Sequence, residues 1–247
     1  MRGEGAIGSM DEPILYRGVE AATFIERPNR FLAKVRRENG QLTTAHVRNT
    51  GRNRELLVPG ATVYLERACT EGRKTLYSLI AVEKQLHGGR SLLVNIDSQI
   101  PNRVVQAAVA AGRIREIGRP EVLRREVSFG SSRLDLYFEE DGEKGFIEVK
   151  GVTLEMDGHC YFPDAPTQRG RKHVEELIRA VREGYRGVLL FCLQMEGMRS
   201  VSPNDGTDPE FGQAVRDAQR QGVEVLAYDC AVGPDRICLR DAVPVVI

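Results

Sequence analysis

A stretch of 24 residues, 131–154, constrains the fold more than any other part of the chain. Its sequence is SSRLDLYFEEDGEKGFIEVKGVTL, in which apolar and polar side chains alternate on both sides of an acidic turn at residues 139–145. Alternation around an Asp-Gly pair predicts two β-strands joined as a hairpin. Side chains two residues apart on a strand project from the same face, so Glu148 and Lys150 point together, with Asp135 on the neighbouring strand.

These three side chains form an Asp…Glu-x-Lys pattern. Convergent carboxylates bind a hard divalent cation such as Mg²⁺ or Mn²⁺, and a nearby ammonium can orient water or offset charge on a phosphate. The pattern therefore indicates a metal site (Asp135, Glu148) with Lys150 as its catalytic partner, and a third acid is expected from Glu116 or Glu126. The alternative is a solvated strand face that carries these charges by chance.

The composition excludes several classes of protein. The chain has 35 basic and 35 acidic residues, so its formal net charge is zero, and its five cysteines include no Cys-x-x-Cys pair. We therefore expect neither a disulfide framework nor a zinc site, and a reducing cytoplasm as the compartment. No apolar run approaches the roughly 20 residues needed to span a membrane, and no secretory signal is apparent. Residues 1–12 are predicted to be a flexible leader, and a homodimer is the default assembly.

Residues 13–88 contain short runs of strand-like sequence separated by turn signals. The predicted strands cover residues 24–25, 31–36, 42–47, 61–68 and 75–83. Several short strands in about 70 residues favour a small barrel, most simply an OB-like one. A break at residues 87–90, His-Gly-Gly-Arg, is predicted to be the linker to a second domain at residues 89–247.

Charge is concentrated in the predicted barrel. Residues 27–54 contain eight basic residues and one acid, a local excess of +7. Because this excess is local and of one sign, it favours binding of a nucleic-acid backbone through Arg27, Arg30 and Arg52. The alternative is that these arginines pair with acids elsewhere in the fold.

The second half of the chain alternates helical and strand patterns, which predicts an α/β domain with a mixed sheet flanked by helices. Helices are predicted at 101–111, after a Thr167 cap and after an Asp208 cap, and strands at 122–129, 187–195 and 223–228 besides the hairpin. Residues 151–166 are predicted to be a long functional loop.

That loop leads into the basic first turns of a helix, which contain Arg169, Arg171, Lys172 and His173. Cations near a helix N-terminus are unfavourable unless an anion binds, so a phosphate contact is one reading and neutralisation by nearby acids is the other. His159 and His173 are read as structural histidines or as substrate contacts.

The chain resembles the sugar fermentation stimulation protein family. The resemblance is based on the following segments: Arg-Pro-Asn-Arg-Phe-Leu-Ala at 27–33, Asn-Thr-Gly-Arg at 49–52, Ser-Arg at 132–133 with Asp135, Glu-Val-Lys at 148–150, Phe-Pro-Asp-Ala at 162–165, and Arg-Gly at 169–170 with Lys-His at 172–173. It extends over nearly the whole chain after the leader. Leu134 stands where the motif of PD-(D/E)xK nucleases has its proline.

The resemblance implies an OB-like N-terminal domain and a C-terminal domain similar to restriction-endonuclease-like PD-(D/E)xK nucleases. It also implies a DNA-binding protein linked to regulation of sugar (maltose) metabolism, with Arg133 beside the metal-site acids as a further nucleic-acid contact. The first hypothesis is a cytoplasmic DNA-binding protein, and the second is an active Mg²⁺-dependent nuclease acting on DNA or RNA. A sugar- or metabolite-sensing module is a third.

Overall fold

The structure is a computed structural model that describes residues 13–49, 51–68 and 75–247. The predicted leader at 1–12 and Cys69 lie outside the described residues. Within the described residues, none of the helices is both long enough and apolar enough to cross a membrane.

The N-terminal half is a β-barrel, as predicted. Its strands are β2 (Val19–Asn29), β3 (Leu32–Arg37), β4 (Leu42–Val47), β5 (Thr62–Arg67), β6 (Tyr77–Gln85) and β7 (Ser91–Asn95). They form one sheet in the order β4-β3-β2-β5-β6-β7, and a parallel pairing of β4 with β6 closes the first five into an OB barrel. Alternate side chains such as Phe24, Val35 and Leu65 fill its interior, which is why period-2 patterning identified these strands.

The prediction that residues 87–90 form a linker is wrong. These residues form the turn of a hairpin in which β6 pairs with β7, and the Leu86 amide donates to the Arg90 carbonyl at 2.8 Å. A Gly-Gly pair suits a tight turn as well as a linker, and only strand pairing distinguishes the two. The barrel sheet therefore continues to Asn95, beyond the predicted boundary.

The C-terminal half has a seven-stranded mixed sheet. Its other elements are α1 (Ile100–Ala110), β8 (Val122–Phe129), β9 (Ser132–Glu140), β10 (Glu143–Val152), α2 (Gln168–Arg182), β13 (Arg186–Leu193), α3 (Pro209–Arg220), β15 (Glu224–Gly233) and β16 (Arg236–Ala242). The sheet begins at a short strand, β1 (Ile14–Leu15), and its order is β1-β16-β15-β13-β10-β9-β8, with β10, β13 and β15 parallel. Strand β1 (Ile14–Leu15) pairs with β16, so these two residues belong to this sheet and not to the predicted N-terminal domain.

Helices cover both faces of this sheet. Apolar residues of α1, such as Val105, pack with Ile147 and Val149, whereas Leu177 of α2 and Phe211 of α3 belong to the core on the other face. The two helix caps predicted from sequence are confirmed. The Gly170 amide donates to Thr167 Oγ1 at 3.0 Å, and the Phe211 amide donates to Asp208 Oδ1 at 2.9 Å.

The prediction that residues 151–166 form one long loop is also wrong in part. This segment contains a hairpin of β11 (Leu154–Met156) and β12 (His159–Phe162), and β12 pairs with β14 (Ser200–Pro203) to make a three-stranded sheet. The partner strand lies about 40 residues away in sequence, so local pattern alone could not reveal it.

Candidate active site

The site forms where strands β9 and β10 separate. Their ladder ends at the pair Leu136–Ile147, so the next positions, Asp135 and Glu148, lie opposite each other without main-chain pairing. The Val149 amide, which the ladder leaves unpaired, donates instead to Asp135 Oδ2 at 2.8 Å. This bond positions the carboxylate of Asp135 beside that of Glu148, as the sequence pattern predicted.

Helix α1 contributes a residue that sequence reasoning missed. Asn102 Nδ2 donates to Asp135 Oδ1 at 2.7 Å, which orients the second oxygen of this carboxylate. The two residues are 33 positions apart, and an asparagine in the first turn of a helix carries no special signal. Only the packing of α1 against the sheet places Asn102 at the site.

The two oxygens of Glu148 have different environments. Oε1 accepts from Lys150 Nζ at 2.6 Å and lies 2.5 Å from His173 Nδ1 on α2. Oε2 is buried and has no hydrogen-bond partner among the described residues. A buried carboxylate oxygen without a donor is costly, so this atom is available for a ligand that the protein itself does not supply.

The electrostatics of the two carboxylates differ. Burial, followed by the charge of Glu148, raises the pKa of Asp135 to about 6. Burial acts in the same direction on Glu148, but hydrogen bonds from His173 and Lys150 outweigh it and lower the pKa of Glu148. The two carboxylates face each other where they are largely buried, so their negative charges repel, and a bound cation would offset this repulsion.

The predicted third acid is not found at the site. Glu116 Oε2 accepts from the Tyr228 hydroxyl at 2.6 Å, and half-exposed Glu126 lies 3.7 Å from Arg133 in a loose ion pair. Among the described residues, no group of three or more His, Cys, Asp or Glu side chains has the proximity to hold a metal ion. Asp135 and Glu148 are thus the acids that face each other at this site among the described residues, and two carboxylates would suit Mg²⁺ because it keeps several waters when bound.

The basic first turns of α2 are only partly free. Arg171 forms an ion pair with Glu210 of α3, and Lys172 Nζ donates to the Ser131 carbonyl at 3.2 Å. Arg169 is exposed. His173 is buried against Glu148, so its role is to hold the acid, and His159 contacts Ser200 Oγ at 2.5 Å. Neutralisation therefore accounts for Arg171, whereas Arg169 and the exposed side chain of Lys172 still face solvent.

The guanidinium of Arg27, which is predicted to contact nucleic acid, is engaged by the protein itself. The guanidinium donates to four main-chain carbonyls, those of Gly51 (2.8 Å), Arg52 (2.8 Å), Arg30 (2.7 Å) and Asn49 (2.7 Å). This set of bonds uses the planar donor geometry of arginine to shape a loop, which leaves little capacity for a phosphate. The side chains of Arg30, Arg52 and Arg133 are exposed, as nucleic-acid contacts require.

The loop that Arg27 shapes adjoins the acid-lysine site. The Arg52 amide donates to Asp164 Oδ2 at 3.1 Å, in the segment that leads into α2. Thr153 Oγ1, three residues after Lys150, donates to Asn53 Oδ1 at 3.2 Å. The barrel segment that contains Arg52 and Asn53 thus contacts both the segment before α2 and the residues that directly follow the strand of Glu148 and Lys150.

Comparison with known proteins agrees with this architecture. Residues 25–96 match the model of the SfsA N-terminal OB domain, and residues 99–236 match that of the sugar fermentation stimulation protein RE domain. The two matches meet close to Asn95, where the barrel sheet ends.

Relatives of similar length are found among curated proteins and solved structures. A sugar fermentation stimulation protein homolog of Alkaliphilus oremlandii is 51% identical over 235 residues, covering 93% of this chain and 97% of the relative. One from Thermoanaerobacter sp. is 45% identical, covering 95% and 98%. The structure of Pyrococcus furiosus SfsA in complex with Ca²⁺ aligns with a TM-score of 0.82 and 27% identity, covering 95% and 98%. The chain belongs to the sugar fermentation stimulation protein family.

Proposed function

We propose that this protein is a metal-dependent nuclease that binds nucleic acid and hydrolyses its phosphodiester bonds. The observation that carries the proposal is the difference between the two oxygens of the Glu148 carboxylate. One oxygen is fixed by Lys150 and His173, while the other is buried and has no donor among the residues that the structure describes. A carboxylate satisfied only on one side is what a cation ligand requires before the cation binds.

The donor set fits a hard divalent cation. Asp135 and Glu148 would hold Mg²⁺ or Mn²⁺, and the cation would supply Lewis-acid stabilisation of phosphate charge and a more acidic bound water. The hydrogen bonds from Asn102 and the Val149 amide occupy one direction on each Asp135 oxygen, which leaves further lone pairs on both. The relative from Pyrococcus furiosus, described in complex with Ca²⁺, supports a divalent-cation site in this fold.

Lys150 would act on the phosphate and the attacking water. Its ammonium has three donors, and one is used on Glu148 at 2.6 Å. The other two are available to orient water or to stabilise negative charge that develops on the phosphoryl oxygens. Because Lys150 is only 9% exposed, these interactions occur where water screens them weakly. His173 and Asn102 act indirectly, by orienting the two carboxylates.

Nucleic acid would be bound by the exposed cations around the site. Arg30 and Arg52 lie on the barrel, Arg133 lies beside Asp135 in sequence, and Arg169 and Lys172 lie at the start of α2. Such contacts neutralise phosphates and release counterions, so affinity for DNA should fall steeply as salt rises. A flat salt dependence would contradict this part of the proposal.

A second candidate function is DNA binding without cleavage, with a regulatory role. The specific observation in its favour is that Glu116 and Glu126 are engaged elsewhere, so two acids and not three face each other at the site. Two convergent carboxylates would repel the phosphates of a partner that is only bound, and this favours the nuclease. The sugar-sensing alternative has no observation of this kind behind it.

The test is a cleavage assay with Mg²⁺ or Mn²⁺ beside a binding assay with Ca²⁺, using single-stranded, duplex and branched DNA and RNA. Glu148→Gln removes the proposed ligand charge, and Glu155→Gln is the matched control because it alters another buried glutamate that pairs with a lysine. Metal-dependent products that disappear in Glu148→Gln and persist in Glu155→Gln would support the nuclease. Binding without products under either metal would favour the second candidate.

A further inference from the structure

An aromatic side chain, Phe31, is exposed in a turn of the barrel that also carries Arg30. Phe31 lies in the two-residue turn between β2 and β3 and is 43% exposed, whereas Phe24 on the preceding strand is 2% exposed. A single exposed apolar residue is ordinary on a protein surface, so exposure alone carries little weight. Its surroundings are more informative.

The turn that presents Phe31 is held in place by several hydrogen bonds. The Phe31 amide donates to Asn29 Oδ1 at 2.9 Å, and the Phe31 carbonyl accepts from the Val47 amide at 2.8 Å. Arg27 fixes the neighbouring carbonyl of Arg30 at 2.7 Å. The backbone is therefore preorganised, although the ring itself contributes little to the core. Preorganisation lowers the ordering cost of binding a ligand.

A guanidinium stacks against this ring. The Arg30 Cζ lies 4.6 Å from the ring centroid of Phe31, within the range of a cation–π contact. Aromatic rings and guanidinium planes are the two side-chain surfaces on which proteins stack unpaired bases. The charge of Arg30 at the same point would also attract the phosphates that flank such a base.

This pair of residues connects to the acid-lysine site through Arg27. The Arg27 guanidinium donates to the carbonyls of Arg30, Asn49 and Arg52. The Arg52 amide in turn contacts Asp164, and Asn53 contacts Thr153 just after Lys150. Arg52, whose amide makes one of these contacts, has an exposed side chain. The segment that Arg27 joins to the Phe31 turn therefore offers a flexible strand a second exposed cation, Arg52.

We propose that Phe31 and Arg30 form a base-stacking subsite for a single-stranded segment of the nucleic-acid substrate. The inference rests on the proposed function and adds strandedness to it. Bases within a duplex already stack on each other, so a fixed ring at a turn can be used only by an unpaired base or a frayed end. Of the basic residues between 27 and 54, Lys34, Arg37 and Arg48 pair with acids, but Arg30 and Arg52 are exposed. Exposed cations at this turn favour a polyanion over an apolar protein segment as the occupant.

The chain contains no tryptophan, which allows a direct test. Phe31→Trp would be the sole tryptophan, and its fluorescence should be quenched when an oligothymidylate is added with Ca²⁺ or without metal. Leu42→Trp is the matched control, since Leu42 is exposed in the same barrel but pairs with Arg36 at the other end of β3. The control should show little quenching, and a blunt duplex of equal length should quench Phe31→Trp far less.

Affinity provides a second measurement. Stacking of one base contributes about 1–3 kcal/mol, so Phe31→Leu should weaken oligothymidylate binding about tenfold and leave blunt-duplex binding within about twofold. Binding of the oligonucleotide to wild type without quenching of Phe31→Trp, or with equal affinity for Phe31→Leu, would overturn the subsite and leave the proposed nuclease standing. No binding of single strands to wild type would overturn it too.

The nuclease proposal fails on a different readout. If Phe31→Trp is quenched but wild type yields no products with Mg²⁺ or Mn²⁺, the stacking subsite holds and catalysis does not. Glu148→Gln introduced into Phe31→Trp should abolish products while preserving the quenching. Loss of the quenching in that double variant would contradict a subsite that acts independently of the carboxylates.

Discussion

Two buried glutamate–lysine pairs lie close together in this chain and differ in one respect. Glu148 pairs with Lys150 at 2.6 Å and Glu155 pairs with Lys84 at 2.5 Å, and both glutamate side chains are 3% exposed. Glu155 uses both oxygens, because Oε2 accepts from Lys84 and Oε1 accepts from the Gly158 amide at 2.5 Å. In Glu148, both donors converge on Oε1 and Oε2 has none among the described residues.

The difference separates a pair that joins two elements of the fold from the pair for which we propose a function. Lys84 also donates to the Glu155 carbonyl at 2.5 Å, so this pair joins β6 of the barrel to β11 of the small sheet. It forms part of the wall of a cavity of about 1150 Å³ between those elements. The pKa of both glutamates is lowered because their hydrogen bonds outweigh burial, but only Glu148 faces a second acid, Asp135, whose pKa is raised. Incomplete satisfaction and a perturbed neighbour are the features on which the proposed functional role of the Glu148 pair rests.

The largest expected effect is on cleavage. Glu148→Gln should reduce metal-dependent hydrolysis by about 10³-fold, about 4 kcal/mol of transition-state stabilisation, because a neutral amide is a poor cation ligand. Glu155→Gln should stay within about threefold of wild type per folded molecule. Initial rates with saturating Mg²⁺ measure both. Equal losses in the two variants would contradict the distinction between the pairs.

The next effect is on stability and concerns the other pair. Lys84→Met should lower the free energy of unfolding by about 3 kcal/mol, since Glu155 would remain buried without its cation. Urea denaturation followed by circular dichroism measures this value, and the folded fraction should keep its binding and cleavage. Lys34→Met offers a control, because Lys34 pairs with Glu26 where both side chains are more than half exposed, and its loss should change stability by about 0.5 kcal/mol or less.

The third effect is a pH dependence caused by Asp135. Its pKa is raised in the folded, metal-free protein, so the folded state holds a proton that the unfolded state releases first as pH rises. This group therefore favours folding below about pH 4, and that contribution is lost as pH rises through about 6. Asp135→Asn should gain about 2 kcal/mol relative to wild type at pH 7.5 and little at pH 4.

Asn at position 135 can preserve the local hydrogen bonds. Its Oδ1 can accept from the Val149 amide, and its Nδ2 can donate to the Asn102 amide oxygen once that side chain rotates by 180°. Paired denaturation curves at the two pH values, without metal, provide the measurement. A difference between variant and wild type that stayed constant from pH 4 to pH 7.5 would show that Asp135 does not titrate in this range.

The smallest effect is stabilisation by a cation. Ca²⁺ at about ten times its dissociation constant should add about 1.4 kcal/mol to the free energy of unfolding, because it binds the folded state. Thermal melting should show the increase in wild type and Glu155→Gln, and not in Glu148→Gln. An equal increase in all three proteins would place the cation elsewhere and would remove the assigned role of the unpartnered Oε2.

Much of the architecture follows from local sequence. Period-2 alternation identified the β9–β10 hairpin and the barrel strands, and the caps at Thr167 and Asp208 marked two helix starts. Glu148 and Lys150 lie on one face of their strand because they are two residues apart, and the hairpin register places Asp135 across from Glu148 on the neighbouring strand. These features depend on interactions between residues that are near in sequence, so a single sequence contains them.

Other features depended on partners distant in sequence. Gly-Gly at residues 88–89 has the same composition in a linker and in a hairpin, and the pairing of β6 with β7 decides between them. Arg27 and Arg30 are both arginines, yet the guanidinium of Arg27 is engaged by four main-chain carbonyls whereas the side chain of Arg30 is exposed. Charge can be counted from sequence, but whether a charge is already satisfied depends on the fold.

The sequence by itself thus determined most of the strand and helix pattern, the barrel and α/β classes, and the acids and lysine that are proposed for the site. Tertiary structure alone decided which carboxylate oxygens are satisfied, that His173 and Asn102 hold Glu148 and Asp135, and that Glu116 and Glu126 do not join them. The physical reason is that hydrogen bonds and burial are properties of pairs of atoms in space. Their energies appear only when distant segments meet.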